Sequence, residues 1–185
     1  MNEENGRPEN NKKGKNIILV GFMGCGKTSI GRRLARLCEY EFFDMDAEIE
    51  KRNGMRVSEI FREKGEAAFR QMETDLCAEL SKTGGLVIAT GGGVIKNAEN
   101  MRLLKLSGNV LYIKASPEHI YNNLKNDRTR PLLEGGDKLK KIKALMEERR
   151  PMYESRSDII VEVTGMRTPR AAYAIRDELE RMNMI

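Results

Sequence analysis

The segment Gly21-Phe-Met-Gly-Cys-Gly-Lys-Thr28 fits the pattern G-x-x-x-x-G-K-[ST]. Its glycines let backbone N–H groups close around phosphate oxygens, and a helix that starts there adds partial positive charge. Lys27 stands where an ammonium reaches the β- and γ-phosphates, and Thr28 offers a hydroxyl to Mg²⁺. Further along come the carboxylates of Asp44-Met-Asp46, the bare backbone of Gly91-Gly-Gly93, and the arginines Arg70, Arg130 and Arg149. Phosphoryl transfer needs a clamped triphosphate, a metal, an oriented acceptor and positive charge near the moving group. These residue types can supply each part. The spacing is not G-x-G-x-x-G, so a dinucleotide site is the poorer reading.

The elements around these residues must bring them together. The apolar run 16–20 reads as a buried strand, and residues 29–37 have helical spacing at Ile30, Leu34 and Leu37. Strands are expected at 41–44, 86–90, 109–113 and 158–163. Helices are expected at 47–52 (interrupted at Gly54), 57–63, 66–81, 97–106 and 138–149. One more starts at the capping Ser116-Pro117, and a closing helix capped by Thr168-Pro169 runs to Met182. Strands alternating with helices imply a parallel sheet covered on both faces, joined by right-handed crossovers. Ligands of such sheets sit beyond the carboxyl ends of the strands. The phosphate loop, Asp44-x-Asp46 and Gly91-Gly-Gly93 each follow a strand directly, so all three belong on one edge.

Composition bounds the class. A chain of 185 residues suits one domain with a real core, here 16–185, preceded by a polar leader, 1–15, that has no periodicity and is expected to be disordered. No apolar run approaches the ~20 residues of a membrane span. The N-terminus lacks the apolar core of a signal peptide, so a cytoplasmic protein with no membrane partner is expected. Cys25, Cys38 and Cys77 are odd in number and widely spaced, which fits reduced thiols. His119 is the only histidine, which leaves little for a histidine metal site or a Ser-His-Asp triad. The net charge of +5 is spread out, without the interleaved aromatics of a base-stacking surface. No nucleic-acid partner is expected.

Residue type alone leaves several roles open. Either Asp44 or Asp46 could hold a metal through water while the other orients an acceptor hydroxyl and takes its proton. Either could instead cap the next helix. Gly91, Gly92 and Gly93 suggest backbone approaching a ligand closely. Residues 126–137 join two helices with charge and glycine, which suits a mobile lid, and its Arg130 could swing onto the transferring phosphoryl group. Arg70 and Arg149 could equally decorate a surface.

The motifs taken in order resemble the shikimate kinases. They are the phosphate loop, Phe43-Asp-Met-Asp46, Gly65-Glu66-x-x-Phe69-Arg70-x-x-Glu73, Gly91-Gly-Gly-Val94, Arg130-Pro-Leu-Leu133 and Arg149-x-Pro151-x-Tyr153. The resemblance covers residues 16–183. It implies a three-layer αβα P-loop kinase fold, similar to nucleoside monophosphate kinases, with a five-stranded parallel sheet in the order 2-3-1-4-5 and a lid at 124–137. It implies ATP-dependent phosphorylation of the 3-hydroxyl of shikimate, with Mg²⁺ as cofactor, in a family that is commonly monomeric. Lys27, Asp46 and Arg130 would be catalytic. Asp46, Arg70, Gly91, Gly92, Gly93 and Arg149 would bind shikimate, the arginines holding its carboxylate. Gly24, Cys25, Gly26, Lys27, Thr28, Ser29, Arg130 and Arg167 would bind ATP, and Thr28 and Asp44 the metal. Glu73, one turn from Arg70, would orient it.

This chain also departs from the family. Many members carry an arginine flanking adenine where Asn123 stands, with Lys125 and Arg128 nearby. Cys25 replaces a serine or alanine of the loop, and a thiol at a helix N-terminus suggests reversible oxidative inhibition. The competing readings are a gluconate kinase on the same fold and a phosphate-loop regulatory protein. The absence of an N-K-x-D guanine signature disfavours a GTPase switch.

Overall fold

Successive residues of a strand face opposite sides of the sheet, so a run apolar at every position needs cover on both. Strand β1 (Asn16–Val20) is such a run from Ile17 onward, and it is buried throughout. In the computed structural model, which describes residues 14–127, 131–133 and 135–185, it lies at the centre of the sheet β2-β3-β1-β4-β5. The other strands are β2 (Glu41–Asp44), β3 (Leu86–Ala89), β4 (Gly108–Lys114) and β5 (Ile159–Glu162), and every pairing is parallel. This is the expected order. Leader residues 1–13 and lid residues Arg128, Thr129, Arg130 and Glu134 lie outside the described residues.

Helices α1 (Lys27–Leu37), α5 (Pro117–Leu124) and α7 (Thr168–Arg181) cover one face together with the first part of α6 (Lys138–Arg156), whose Tyr153 packs into the core of the other face. There Ile17 and Leu19 pack with Ile30, Leu34, Ile120, Ile142 and Ile175. On the other face, Ile18 and Val20 pack with side chains of α2 (Met45–Asn53), α3 (Val57–Leu80) and α4 (Ala98–Ser107), among them Ile49, Ile60, Leu76 and Leu104. Two cores on one sheet make the αβα sandwich.

The elements differ from the sequence reading at a few ends. The two helical stretches expected at 57–63 and 66–81 are joined end to end as α3, with Gly65 non-helical (φ 82°, ψ 165°) at the kink. Helix α6 continues past Arg149 and through Pro151 to Arg156. Burial of Arg149 and Tyr153 holds that last stretch down, with the Tyr153 ring stacked on Tyr112 at 4.8 Å. Tertiary packing there outweighs the missing proline N–H. Thr168 is the first residue of α7 rather than its cap; Arg167 holds the cap position, without a side-chain bond. A single 3₁₀ turn, Val94–Lys96, follows the triple glycine.

Asn16 sets the register of β1 against β3. Fully buried, it donates to Thr83 Oγ1 (3.0 Å) and accepts from the Leu86 N–H (3.0 Å). Asn16→Ala leaves that N–H without its acceptor, which costs about 1–3 kcal/mol. A lower urea midpoint with an unchanged m-value is the expected result; an unaltered midpoint would show that Asn16 does not hold the register.

Candidate functional site

Parallel strands put all their carboxyl ends on one edge, and the chemistry collects there. Strand β1 ends at the phosphate loop, β2 at Asp44, and β3 at Thr90 and the three glycines. Because the chain places β2 and β3 on one side of β1 and then β4 and β5 on the other, the loop sits at the switch point where such sheets bind ligands.

The loop has the shape that phosphate requires. Gly24 (φ 77°) and Gly26 (φ 99°) occupy left-handed backbone conformations that side chains disfavour. A Cβ on Gly24 would also stand 2.6 Å from Leu124. The Cys25 amide bonds Phe22 O, and the first bond of α1 runs from Ile30 N–H to Gly26 O at 2.8 Å. The amides of Lys27, Thr28 and Ser29 belong to the opening turn, whose N–H groups have no partner within a helix. Lys27 is buried, its Nζ donating to Gly21 O (2.7 Å) and Phe22 O (3.2 Å). Its ammonium is thus held against its own loop.

Thr28 Oγ1 donates to Asp44 Oδ2 at 2.9 Å, while Asp44 Oδ1 accepts from the Ala47 N–H at the start of α2. Asp44 therefore both caps a helix and meets the threonine hydroxyl. With Lys27, Ser29, Asp46 and Gly92 these residues line a cleft of about 180 Å³. Among the described residues no cluster of three or more His, Cys, Asp or Glu side chains could hold a metal. The Thr28–Asp44 pair fits a Mg²⁺ that draws most of its oxygens from phosphates and water.

Beyond Asp46 the glycines and the arginines come together. A Cβ on Gly91 would stand 2.7 Å from both Asp46 Oδ1 and Glu73 Oε1, and one on Gly93 would stand 2.5 Å from Arg70 Nη1. The Gly92 carbonyl accepts from Arg149 Nη1 (3.4 Å) and from the Tyr153 hydroxyl (3.2 Å). Arg70 lies over Phe61 and Phe69, and Arg149 over Phe22. Both arginines thus reach the glycine run, as the surface reading of them would not require. Arg149 is only 5% exposed, and its Nε is buried without a hydrogen-bond partner.

Glu73 bonds Arg70 Nη1 at 2.7 Å, and Glu66 takes its Nε and Nη2. The guanidinium is fixed in orientation from one side. Burial pushes the Glu73 carboxyl above its ordinary range; Arg70 opposes this, and Asp46 adds to it.

Other parts of the sequence reading fare differently. Arg130 lies outside the described residues. Arg167 is exposed and lines a separate cavity of about 420 Å³ with Cys25, Gly26, His119 and Asn123. Cys25 is 1% exposed, and its sulfur lies 2.8 Å from where a Gly21 Cβ would stand. Burial of this degree disfavours the expected oxidisable loop thiol. Sequence reasoning gave no site role to Thr90, Met23, His119 or the aromatic supports of the arginines. Thr90 could have been found from its place directly after β3, and Phe61 and Phe69 from sharing α3 with Arg70; Phe22 carries no local signal, since its partner Arg149 lies on α6.

Comparison with known proteins agrees with this geometry. A family model described as shikimate kinase matches residues 23–180. The chain belongs to the shikimate kinase family. It is 45% identical to a shikimate kinase of Nitrosococcus oceani over 156 residues, which are 84% of this chain and 82% of that one. Among solved structures it resembles the shikimate kinase of Acinetobacter baumannii in complex with shikimate, with a TM-score of 0.88 and 36% identity over 94% of this chain and 97% of that one. A gluconokinase from Sinorhizobium meliloti, at TM-score 0.54 and 16% identity over 93% and 97% of the two chains, shares the fold alone.

Glu73 can be tested apart from activity. Its folded pKa is raised, so its contribution to stability is complete below the unfolded carboxylate range and is lost as pH rises through the folded value. The parent is expected to lose stability relative to Glu73→Gln across that interval in urea titrations. Parallel stability–pH curves would contradict the raised value.

Proposed function

We infer that this member of the shikimate kinase family transfers the γ-phosphoryl group of ATP to the 3-hydroxyl of shikimate. The observation that carries the acceptor half is the convergence of Asp46, Arg70 and Arg149 on Gly91–Gly93, beside the phosphate loop. A carboxylate suits a hydroxyl, and two arginines suit a planar carboxylate, which they can grip with paired N–H donors.

In this reading the amides of Gly26 to Ser29 and the Lys27 ammonium clamp the phosphates. Lys27 turns from Gly21 O and Phe22 O to the β- and γ-oxygens and stabilises charge that develops during transfer. Thr28 and Asp44 hold Mg²⁺, which when bound neutralises phosphate charge. Asp46 holds the acceptor hydroxyl in line and takes its proton as the oxygen attacks. Arg70, oriented by Glu73 and Glu66, and Arg149, oriented by Gly92, bind the shikimate carboxylate. Residues 124–137 form the lid, and Arg130 is assigned to the transferring phosphoryl group from there. Leu133 is buried in the core and Lys138 Nζ binds the carbonyls of Leu124 and Asp127, so the lid is anchored at its base. No described helix is long and apolar enough to cross a membrane.

ADP release measured with shikimate, with gluconate and with no acceptor tests the assignment. Release that depends on shikimate is expected; release selective for gluconate or independent of acceptor would overturn it. Arg70→Ala should raise the KM for shikimate about 10- to 100-fold, the loss of one or two charge-assisted bonds, while the KM for ATP stays near the parent's. Lys27→Ala should instead remove turnover. An unchanged shikimate KM in Arg70→Ala would contradict the carboxylate assignment.

A further inference from the structure

The cavity of about 420 Å³ lies on the other side of the phosphate loop from Asp46; of the residues lining the two cavities, only Gly26 is common to both. Its size suits a small planar ligand. Helix α5 supplies one wall. His119 and Asn123 are four residues apart, so they share a helix face, and both line the cavity. Asn123 is directed away from that role, since its Nδ2 donates to Gly24 O at 2.9 Å and ties α5 to the loop. His119 is held differently. Its Nδ1 accepts from the Gly165 N–H at 3.2 Å, in the left-handed turn (φ 72°) after β5. A neutral ring with Nδ1 as acceptor carries its proton on Nε2, so the far nitrogen is a donor. The ring is thereby fixed between α5 and the β5 turn, half-buried, at the cavity wall that also carries Arg167.

We propose that His119 is a nucleotide-binding residue of this chain, its ring packed against the base of ATP where Asn123 is engaged by the loop. The proposal rests on the ATP reading above. A nucleotide laid across Gly26 would place its phosphates in the cleft with Lys27 and Thr28 and its base in the larger cavity. A heteroaromatic ring offers a face for stacking on any base.

His119 is the only histidine, so its Cε1–H resonance can be followed without ambiguity in the whole chain. ADP is expected to move that line upfield, and inorganic tripolyphosphate, which fills the phosphate loop without a base, is expected to leave it in place. His119→Ala should raise the KM for ATP about tenfold, within the range of one base–aromatic stack, with kcat and the KM for shikimate unchanged. If ADP binds yet the line does not move, or tripolyphosphate moves it equally, His119 does not touch the base and the kinase reading stands. A KM for ATP unaltered in His119→Ala has the same meaning. If neither ADP nor ATP binds, the kinase reading falls and this proposal with it.

Discussion

Two missing side chains make the acceptor half of this site possible. Where a Cβ of Gly91 would stand, Asp46 and Glu73 bring carboxylate oxygens; where one of Gly93 would stand, Arg70 brings its guanidinium. Between them the bare Gly92 carbonyl receives Arg149 and Tyr153. Side chains from α2, α3 and α6 can therefore meet across the end of β3 at distances that a run of ordinary residues would forbid. Arginine guanidinium groups and carboxylates this close in a partly buried cleft offset one another's desolvation, which neither would survive cheaply alone. The raised Glu73 carboxyl is the residue of that tension.

The sheet order turns this local arrangement into a two-sided site. With β1 in the centre, the phosphate loop separates a polar cleft at the ends of β2 and β3 from a larger cavity at the ends of β4 and β5. Under the proposed function the acceptor and the nucleotide base approach the phosphates from opposite sides. Leu124 packed on Gly24 and the Asn123 bond to Gly24 O join the base of the lid to the loop itself. A movement of α5 would therefore be felt at the phosphates.

Much of this could be read from residue order. The phosphate loop declares itself because its glycines are needed by the backbone, and the strand-then-motif pattern at Asp44, Asp46 and Gly91–Gly93 places all of them on one edge. The strand order and the roles of Arg70 and Arg149 followed only from the family resemblance, because spacing along a helix does not say which cleft it overlooks. Asp44 shows the same limit, since capping and metal binding ask for the same oxygen and only its bond to Thr28 joins them. Helix α6 outran Pro151 because a stacked, buried Tyr153 decides its end. Cys25 read as an oxidisable thiol because it stands at a helix N-terminus, yet its side chain is buried. Position in a motif fixes the backbone more firmly than the direction of a side chain.

Gly93→Ala tests most directly whether the missing side chains hold the acceptor site together. Gly93 has an ordinary backbone conformation (φ −100°), so the new methyl need not strain the chain; it needs the space of Arg70 Nη1, which must move. Calorimetric titration of this variant should show ADP binding as in the parent and shikimate binding weakened by about 10- to 100-fold, the loss of a charge-assisted contact. Shikimate binding equal to the parent's would contradict the account.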